Sequence, residues 1–201
     1  MKISHIEKLK PKNVIVFDLD GTLTPTKAPM DTQMAALITQ LLAIKKIAVI
    51  GGGKYGIFKT QLLQQLQVPK PLLKNLFLFP ATATSFYIYN SGWKNIYALQ
   101  LSKAEKDKVK KAFHDVFEDI GYQHPKKVYG RVIEDRGTQI TFSALGQDVV
   151  AMLGKKRGVA MKVKWLQENR DLKMKMARRL AKLLPELEVH AAGFTSIDIT
   201  R

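Results

Sequence analysis

The sequence predicts an α/β protein: a partial Rossmann-like parallel core, then an α+β region whose antiparallel sheet carries helices on one face. Two apolar runs, VIVF at 14–17 and IAVI at 47–50, enclose a helical pattern, the order of a βαβ unit with parallel strands. Each run stops at residues suited to meeting a ligand, Asp18 and Asp20 after the first and Gly51, Gly52 and Gly53 after the second. In parallel sheets ligands gather at the carboxyl ends of strands. From residue 84 the pattern changes to paired short strands alternating with amphipathic helices. The expected division is therefore 1–83 for the core and 84–201 for a second domain.

The first strand opens the stretch NVIVFDLDGTLT, Asn13 to Thr24. Its unbroken apolar run reads as a strand buried on both faces. Two carboxylates one residue apart repel each other unless a proton or a cation lies between them. Mg²⁺ suits such a pair, because it takes hard oxygen ligands and commonly bridges carboxylate and phosphate. Asp18 and Asp20 are thus the candidate metal ligands. With a phosphoryl group held there, Asp18 is placed to attack phosphorus as a carboxylate nucleophile. Asp20 is placed to protonate the leaving oxygen and then to activate the acceptor. Gly21 allows a sharp turn, and Thr22 and Thr24 steady the loop, Thr22 as a candidate phosphate contact. The bland alternative is a strand-end turn capped by aspartates.

These residues resemble motif I of the haloacid dehalogenase (HAD) superfamily of phosphatases and phosphotransferases. The resemblance implies Asp18 as nucleophile, Asp20 as acid/base and Mg²⁺ as cofactor.

After motif I, Asp31 caps a helix marked by Met34, Leu37, Ile38, Leu41 and Leu42, closed by Lys45 and Lys46. The second strand leads through its glycines and Lys54 into a helix expected over 55–66, with Ile57, Leu62, Leu63 and Leu66 inward. Glycines at a strand end allow close backbone approach to an anion, so Gly51, Gly52 and Lys54 are candidate phosphate contacts. By themselves they read equally well as a tight turn. At this distance from motif I they resemble HAD motif II, with a departure. Gly51 stands where that family usually has a hydroxyl, so its contact is expected from backbone amides.

Residues 76–80 read as a third core strand, 81–85 as a crossing loop and 86–99 as a hairpin. Ser102 and Glu105 form a capping box before a helix striped by Val109, Ala112, Phe113, Val116, Phe117 and Ile120. Strands follow at 128–134 and 138–145, the second with Ile140 and Phe142 alternating against Gln139, Thr141 and Ser143. A long basic helix over 160–184 keeps Trp165, Leu166, Leu172, Met176, Leu180 and Leu183 inward. Its lysines and arginines, Lys173 among them, read as a solvated face. Strands at 187–190 and 195–200 close the chain. His5, His114, His124 and His190 lack metal-ligand spacing and read as structural or surface residues.

The order from 84 resembles the large cap of type IIB HAD proteins, and within that class phosphomannomutase-like proteins. That resemblance implies Arg136 on a substrate's distal phosphate and Ser196 and Asp198 on its sugar. Gln147 and Tyr129 stand where those enzymes place further arginines. The resemblance also implies a lysine motif III and an acidic motif IV after the cap, which do not precede Arg201. A truncated chain of low activity is the expectation, with an apolar sheet edge and face left open for a second copy to cover.

Thirty-three Lys and Arg against 17 Asp and Glu give a net charge of +16, which favours anionic partners without choosing among them. The expected partner is a small phosphorylated metabolite, hexose phosphate by resemblance. Nucleic acid is set aside because no aromatic platform accompanies the basic helix. With no cysteine there is no disulfide framework. No signal-like apolar segment precedes Asp18 and no bilayer-length apolar run follows, so a cytoplasmic protein with no membrane partner is expected. Two rivals remain: a non-catalytic HAD-fold binding protein completed by a partner chain, and a basic nucleic-acid binder.

Overall fold

The structure is a computed structural model that describes residues 12–25 and 28–201. His5 and the N-terminal segment read for a leader lie outside the described residues. The chain divides into two compact units, Met1–Ala98 and Leu99–Arg201.

The first unit holds a five-stranded sheet in the order β1-β2-β3-β4-β5. Its strands are β1 Val14–Asp18, β2 Lys46–Ile50, β3 Leu76–Phe79, β4 Ser85–Tyr89 and β5 Trp93–Ala98. The first three are parallel, with Asp18 opposite Ile50, and β3, β4 and β5 are antiparallel neighbours. Helix α1, Thr32–Leu42, starts where the Asp31 carboxylate accepts from the Met34 N–H at 2.8 Å. Helix α2, Tyr55–Gln61, is shorter than expected, and a 3₁₀ turn, Leu63–Gln65, takes over the rest. Ile47 and Val49 of β2, Leu76 and Leu78 of β3, and Ile38, Leu42, Phe58 and Leu62 of the helical segments form one buried cluster.

Three expectations are corrected here. Strand β1 is not buried on both faces: Val14 is 47% and Val16 59% exposed. Among the described residues it is the sheet edge, and the described helices pack on the face carrying Ile47 and Val49. Leu37 and Ile57 are likewise exposed, because the helices bury Ala35 and Phe58 instead. The hairpin at 85–98 belongs to the first sheet, since β4 pairs with β3 through Phe77–Ile88 and Leu78–Tyr87. Phe79 stacks on Phe86 at 4.6 Å, and Tyr55 on Tyr87 at 4.1 Å. The unit therefore ends after Ala98, beyond the expected 83.

The one-sided packing makes a testable contrast. Leu78→Ala, at a fully buried position, should cost about 2–5 kcal/mol. Val16→Ala should cost under about 1 kcal/mol, since Val16 keeps most of its exposure. Urea unfolding of both variants checks this, and equal losses would mean that the outer face of β1 is covered.

The second unit is a four-stranded antiparallel sheet, β6 Ile133–Asp135, β7 Gln139–Ser143, β8 Glu188–His190 and β9 Ser196–Thr200, in the order β6-β7-β9-β8. Helices α3 Lys103–Asp119 and α5 Lys155–Leu183 supply Val109, Phe113, Val116, Trp165, Met176 and Leu180. These pack on Ile140, Phe142, Ile197 and Ile199, so the helices lie on one face, as expected. The short helix α4, Val149–Leu153, precedes α5, which departs from helical geometry at Asn169 (φ −131°, ψ 20°).

The capping box opens α3 as expected, Glu105 accepting from the Ser102 N–H at 2.7 Å. Arg201 adds two bonds to the same carboxylate, each 2.9 Å. Arg201 first, then Ser102, hold the Glu105 carboxyl down at about 2 from an ordinary 4.5. A carboxyl depressed on folding stabilises fully above its unfolded value and loses that contribution as pH falls through its folded one. Glu105→Gln should therefore narrow its stability deficit against the parent as pH drops from 4.5 toward 2. Urea midpoints at pH 6 and pH 3 check this, and a deficit unchanged between them would contradict it.

Candidate active site

Asp18 ends β1, and Leu19 immediately turns inward to only 1% exposure. The Leu19 N–H donates to the Ile50 carbonyl at 3.0 Å, tying this loop to the end of β2. The Leu19 carbonyl accepts from the amides of Leu23 and Thr24 at 3.1 and 3.0 Å and from the Thr24 hydroxyl at 3.1 Å. With Leu19 and Leu23 anchored in the core, Asp18 and Asp20 turn away from it together. Gly21 takes φ +90°, which needs no side chain. Partial burial first and the Asp20 charge second push the Asp18 carboxyl up, against bonds from the Leu19 amide and the Thr22 side chain. A cation between the two carboxylates would relieve that repulsion.

The glycine loop lies beside this turn. A Cβ on Gly51 would sit 3.2 Å from the Leu19 Cβ and 3.3 Å from the Phe58 ring, so glycine lets the two loops close up. The Gly51 N–H donates to the Phe79 carbonyl at 3.3 Å. That corrects one expectation: the Gly51 amide is engaged by the sheet, so its part is spatial. Gly52 and Lys54 are exposed at the start of α2.

Sequence reasoning missed the brace behind this loop. Ala81, Thr82 and Ala83 all take positive φ, 51°, 58° and 66°. Three such non-glycine residues in a row cost about 1–3 kcal/mol each. Ala81 N–H donates to the Gly53 carbonyl at 2.9 Å and Thr82 N–H to the Gly51 carbonyl at 3.0 Å, so the strained turn clamps the glycine loop. The residues ATA carry no glycine signal for such a turn.

In the second unit, Arg136, Ser196 and Asp198 lie on or beside the polar face of the sheet. Thr141 stands opposite both Glu134 and Asp198, and Ser143 opposite Ser196. Arg136 Nε donates to Glu134 at 2.8 Å and its Nη2 to Gln147 Oε1 at 3.2 Å. Asp198 is 8% exposed and accepts from Thr141 and Gln139. Its Oδ1 has no partner among the described residues. Burial pushes its carboxyl up, opposed by these bonds and by Arg136 and His190. Ser196 is only partly buried, at the other end of the row.

Lys173 corrects the reading of the basic helix: it is 3% exposed and donates to the Ala192 and Gly193 carbonyls at 2.9 and 2.7 Å. Its burial lowers the ammonium pKa, and Asp198 counters this. Glu134, Gln139 and Thr141 were missed as a network, although the alternation of Gln139, Thr141 and Ser143 signalled the polar face.

No family model matches the chain. Human phosphomannomutase 1 is 39% identical over 46 residues, 23% of this chain and 18% of that protein. The mouse protein is 36% identical over 53 residues, 26% and 20% of the two chains. Among solved structures, Plasmodium falciparum IMP-nucleotidase superposes with TM-score 0.59 at 14% identity, covering 94% of this chain and 46% of that one. The C-terminal domain of C. albicans trehalose-6-phosphate phosphatase gives 0.56 at 19%, covering 93% and 56%. Both are HAD-superfamily phosphatases. This chain has the HAD fold.

The chain spans about half the length of these solved HAD structures. Among the described residues no group of three or more His, Cys, Asp or Glu gathers to hold a metal. Mg²⁺ asks less of a site that also binds phosphate, since one or two carboxylates with phosphate oxygens and waters suffice. Asp18 and Asp20 fit that donor set. No helix among the described residues is long and apolar enough to cross a membrane.

Proposed function

We propose that the chain is an Mg²⁺-dependent phosphoryl-transfer protein, a phosphatase or phosphosugar mutase acting on a small phosphorylated metabolite. The observation that carries this reading is the outward pair Asp18 and Asp20 at the end of a parallel strand, adjoining the clamped glycine loop of the next. An Asp18 oxygen attacks phosphorus while the bond to the leaving oxygen breaks, giving an aspartyl phosphate. Asp20 gives its proton to the leaving oxygen, then takes one from the acceptor hydroxyl or water that attacks phosphorus and frees Asp18. Mg²⁺, when held by the two aspartates, offsets the charge of the phosphate oxygens. Thr22, Gly52 and Lys54 orient the phosphoryl group.

The first unit would act as the catalytic core and the second as the substrate-recognising cap, through Arg136, Ser196 and Asp198. The phosphomannomutase similarity favours a hexose phosphate, and the nucleotidase fold neighbour extends the range to nucleoside monophosphates. A bisphosphorylated sugar separates the two reactions: isomerised monophosphate marks a mutase, free phosphate a phosphatase. The test of the class is p-nitrophenyl phosphate hydrolysis by this chain and its Asp18→Asn variant, with and without Mg²⁺. Mg²⁺-dependent hydrolysis lost in the variant is expected. Hydrolysis indifferent to both, or absent from the parent at any Mg²⁺ concentration, would sink the reading.

One observation favours a second reading. Among the described residues β1 is the sheet edge with Val14 and Val16 exposed, which suits a binding protein whose sheet another chain completes. A concentration-dependent mass well above 22.7 kDa, without phosphatase activity, is the result this reading requires.

A further inference from the structure

Helix α5 carries 11 Lys and Arg against one Glu and one Asp. Beyond its bend at Asn169, Lys175, Arg178, Arg179 and Lys182 line an open hollow of ≈ 540 Å³ with Asp171 as its one acid. Arg179 is held by Asp119 at 2.6 Å. Lys175, Arg178 and Lys182 are exposed and make no ion pair among the described residues. We propose that this face of α5 is a docking surface for the phosphate backbone of duplex nucleic acid, a function independent of the phosphoryl-transfer reading.

Charge complementarity and spacing carry the proposal. At about 1.5 Å of rise per residue, Lys175 to Lys182 spans roughly 10 Å of helix. A duplex strand places a phosphate about every 3.4 Å along its axis, so the row meets about three phosphates of one strand. A wide, solvated hollow lined by exposed side chains holds a single small anion weakly, whereas a polyanion gains from each condensed counterion released. Backbone contact needs no aromatic platform, which removes the ground on which the sequence set nucleic acid aside; that requirement belongs to stacking on single strands. A second copy of this chain is disfavoured on this face, because each copy carries a net charge of +16. An acidic bilayer would call for apolar side chains among the cations. The exposed Met174 and Leu183 instead flank the row, each about 40° outside its outermost cation at 3.6 residues per turn, and neither lies within it.

The test titrates the full chain against a fluorescent random-sequence DNA duplex by anisotropy, over a range of salt concentrations. The probe variant carries Lys175→Gln, Arg178→Gln and Lys182→Gln. A control variant carries Lys59→Gln, Lys70→Gln and Lys94→Gln, which removes the same charge from the first unit. The expected result is duplex binding whose logarithmic salt slope falls by about 2–3 in the probe variant, near 0.9 per lost phosphate contact. The control should keep most of its slope, and affinity at low salt should drop at least tenfold in the probe variant alone. Equal effects in the two variants would overturn the proposal in favour of diffuse charge attraction. So would no duplex binding by the parent, or loss of binding to anionic vesicles but not to duplex in the probe variant.

Discussion

Asp18→Asn is expected to bring Mg²⁺-dependent phosphate-ester hydrolysis down to background. The amide cannot attack phosphorus, and it removes one of the two carboxylates that suit the cation. Losing a nucleophile that acts as a unit with its acid/base partner costs on the order of 10⁴–10⁶ in rate. Asp20→Asn should be milder, about 10²–10⁴, because general acid–base help is only part of the barrier. Both side chains turn away from the buried Leu19, so neither change should lower the urea midpoint appreciably. Rates of the two variants at saturating Mg²⁺ check this ranking. Asp20→Asn falling as far as Asp18→Asn, or Asp18→Asn retaining activity, would reverse the assigned roles.

Gly146→Ala should be the most damaging single methyl addition in the second unit. Gly146 takes φ +87° in the turn after β7, and a Cβ there would lie 2.1 Å from the Tyr129 carbonyl oxygen, 2.6 Å from its carbon and 2.8 Å from its nitrogen. All three are backbone atoms that cannot swing aside. They are also fixed by their own bonds, the Tyr129 N–H to the Leu145 carbonyl and the Asp148 N–H to the Tyr129 carbonyl, each 2.9 Å. The Tyr129 segment would have to give, and Gln147, which accepts from Arg136, is the next residue. A loss above about 4 kcal/mol is expected. Gly154→Ala is the matched control: its φ is +76°, but a Cβ there meets nothing within 4 Å. It should cost only the backbone penalty of a glycine-only conformation (φ +76°, ψ 161°), about 1–3 kcal/mol. Equal urea midpoints for the two variants would show that the Tyr129 segment yields.

The βαβ order, the aspartate pair at a strand end and the one-sided packing of the second sheet were legible in the sequence. Each rests on a local pattern: a short apolar run, a motif at fixed spacing, or the alternation of Ile140 and Phe142 with their polar neighbours. What the sequence concealed depends on pairing between distant strands. The hairpin at 85–98 has the alternation of an independent ribbon, and only its pairing with Phe77 and Leu78 assigns it to the first sheet. An unbroken apolar run marks Val14 and Val16 as buried, yet an edge position exposes them. Lys173 sits in a run of surface cations and is buried because the carbonyls of the 192–193 turn receive it. The left-handed turn at Ala81, Thr82 and Ala83 is fixed by bonds to a loop some thirty residues earlier, which no local composition reports.

The central claim is that Asp18 forms a covalent phosphoryl intermediate, and trapping that intermediate tests it most directly. In Asp20→Asn the second half-reaction lacks its base, so the intermediate should accumulate when the chain meets Mg²⁺ and p-nitrophenyl phosphate, whose leaving group departs without a proton from Asp20. Acid quenching followed by peptide mass mapping should place the phosphoryl group on Asp18, with none in the double variant carrying Asp18→Asn as well. A parent enzyme that turns over while Asp20→Asn carries no phosphoryl group on Asp18, or carries one elsewhere, would contradict the account.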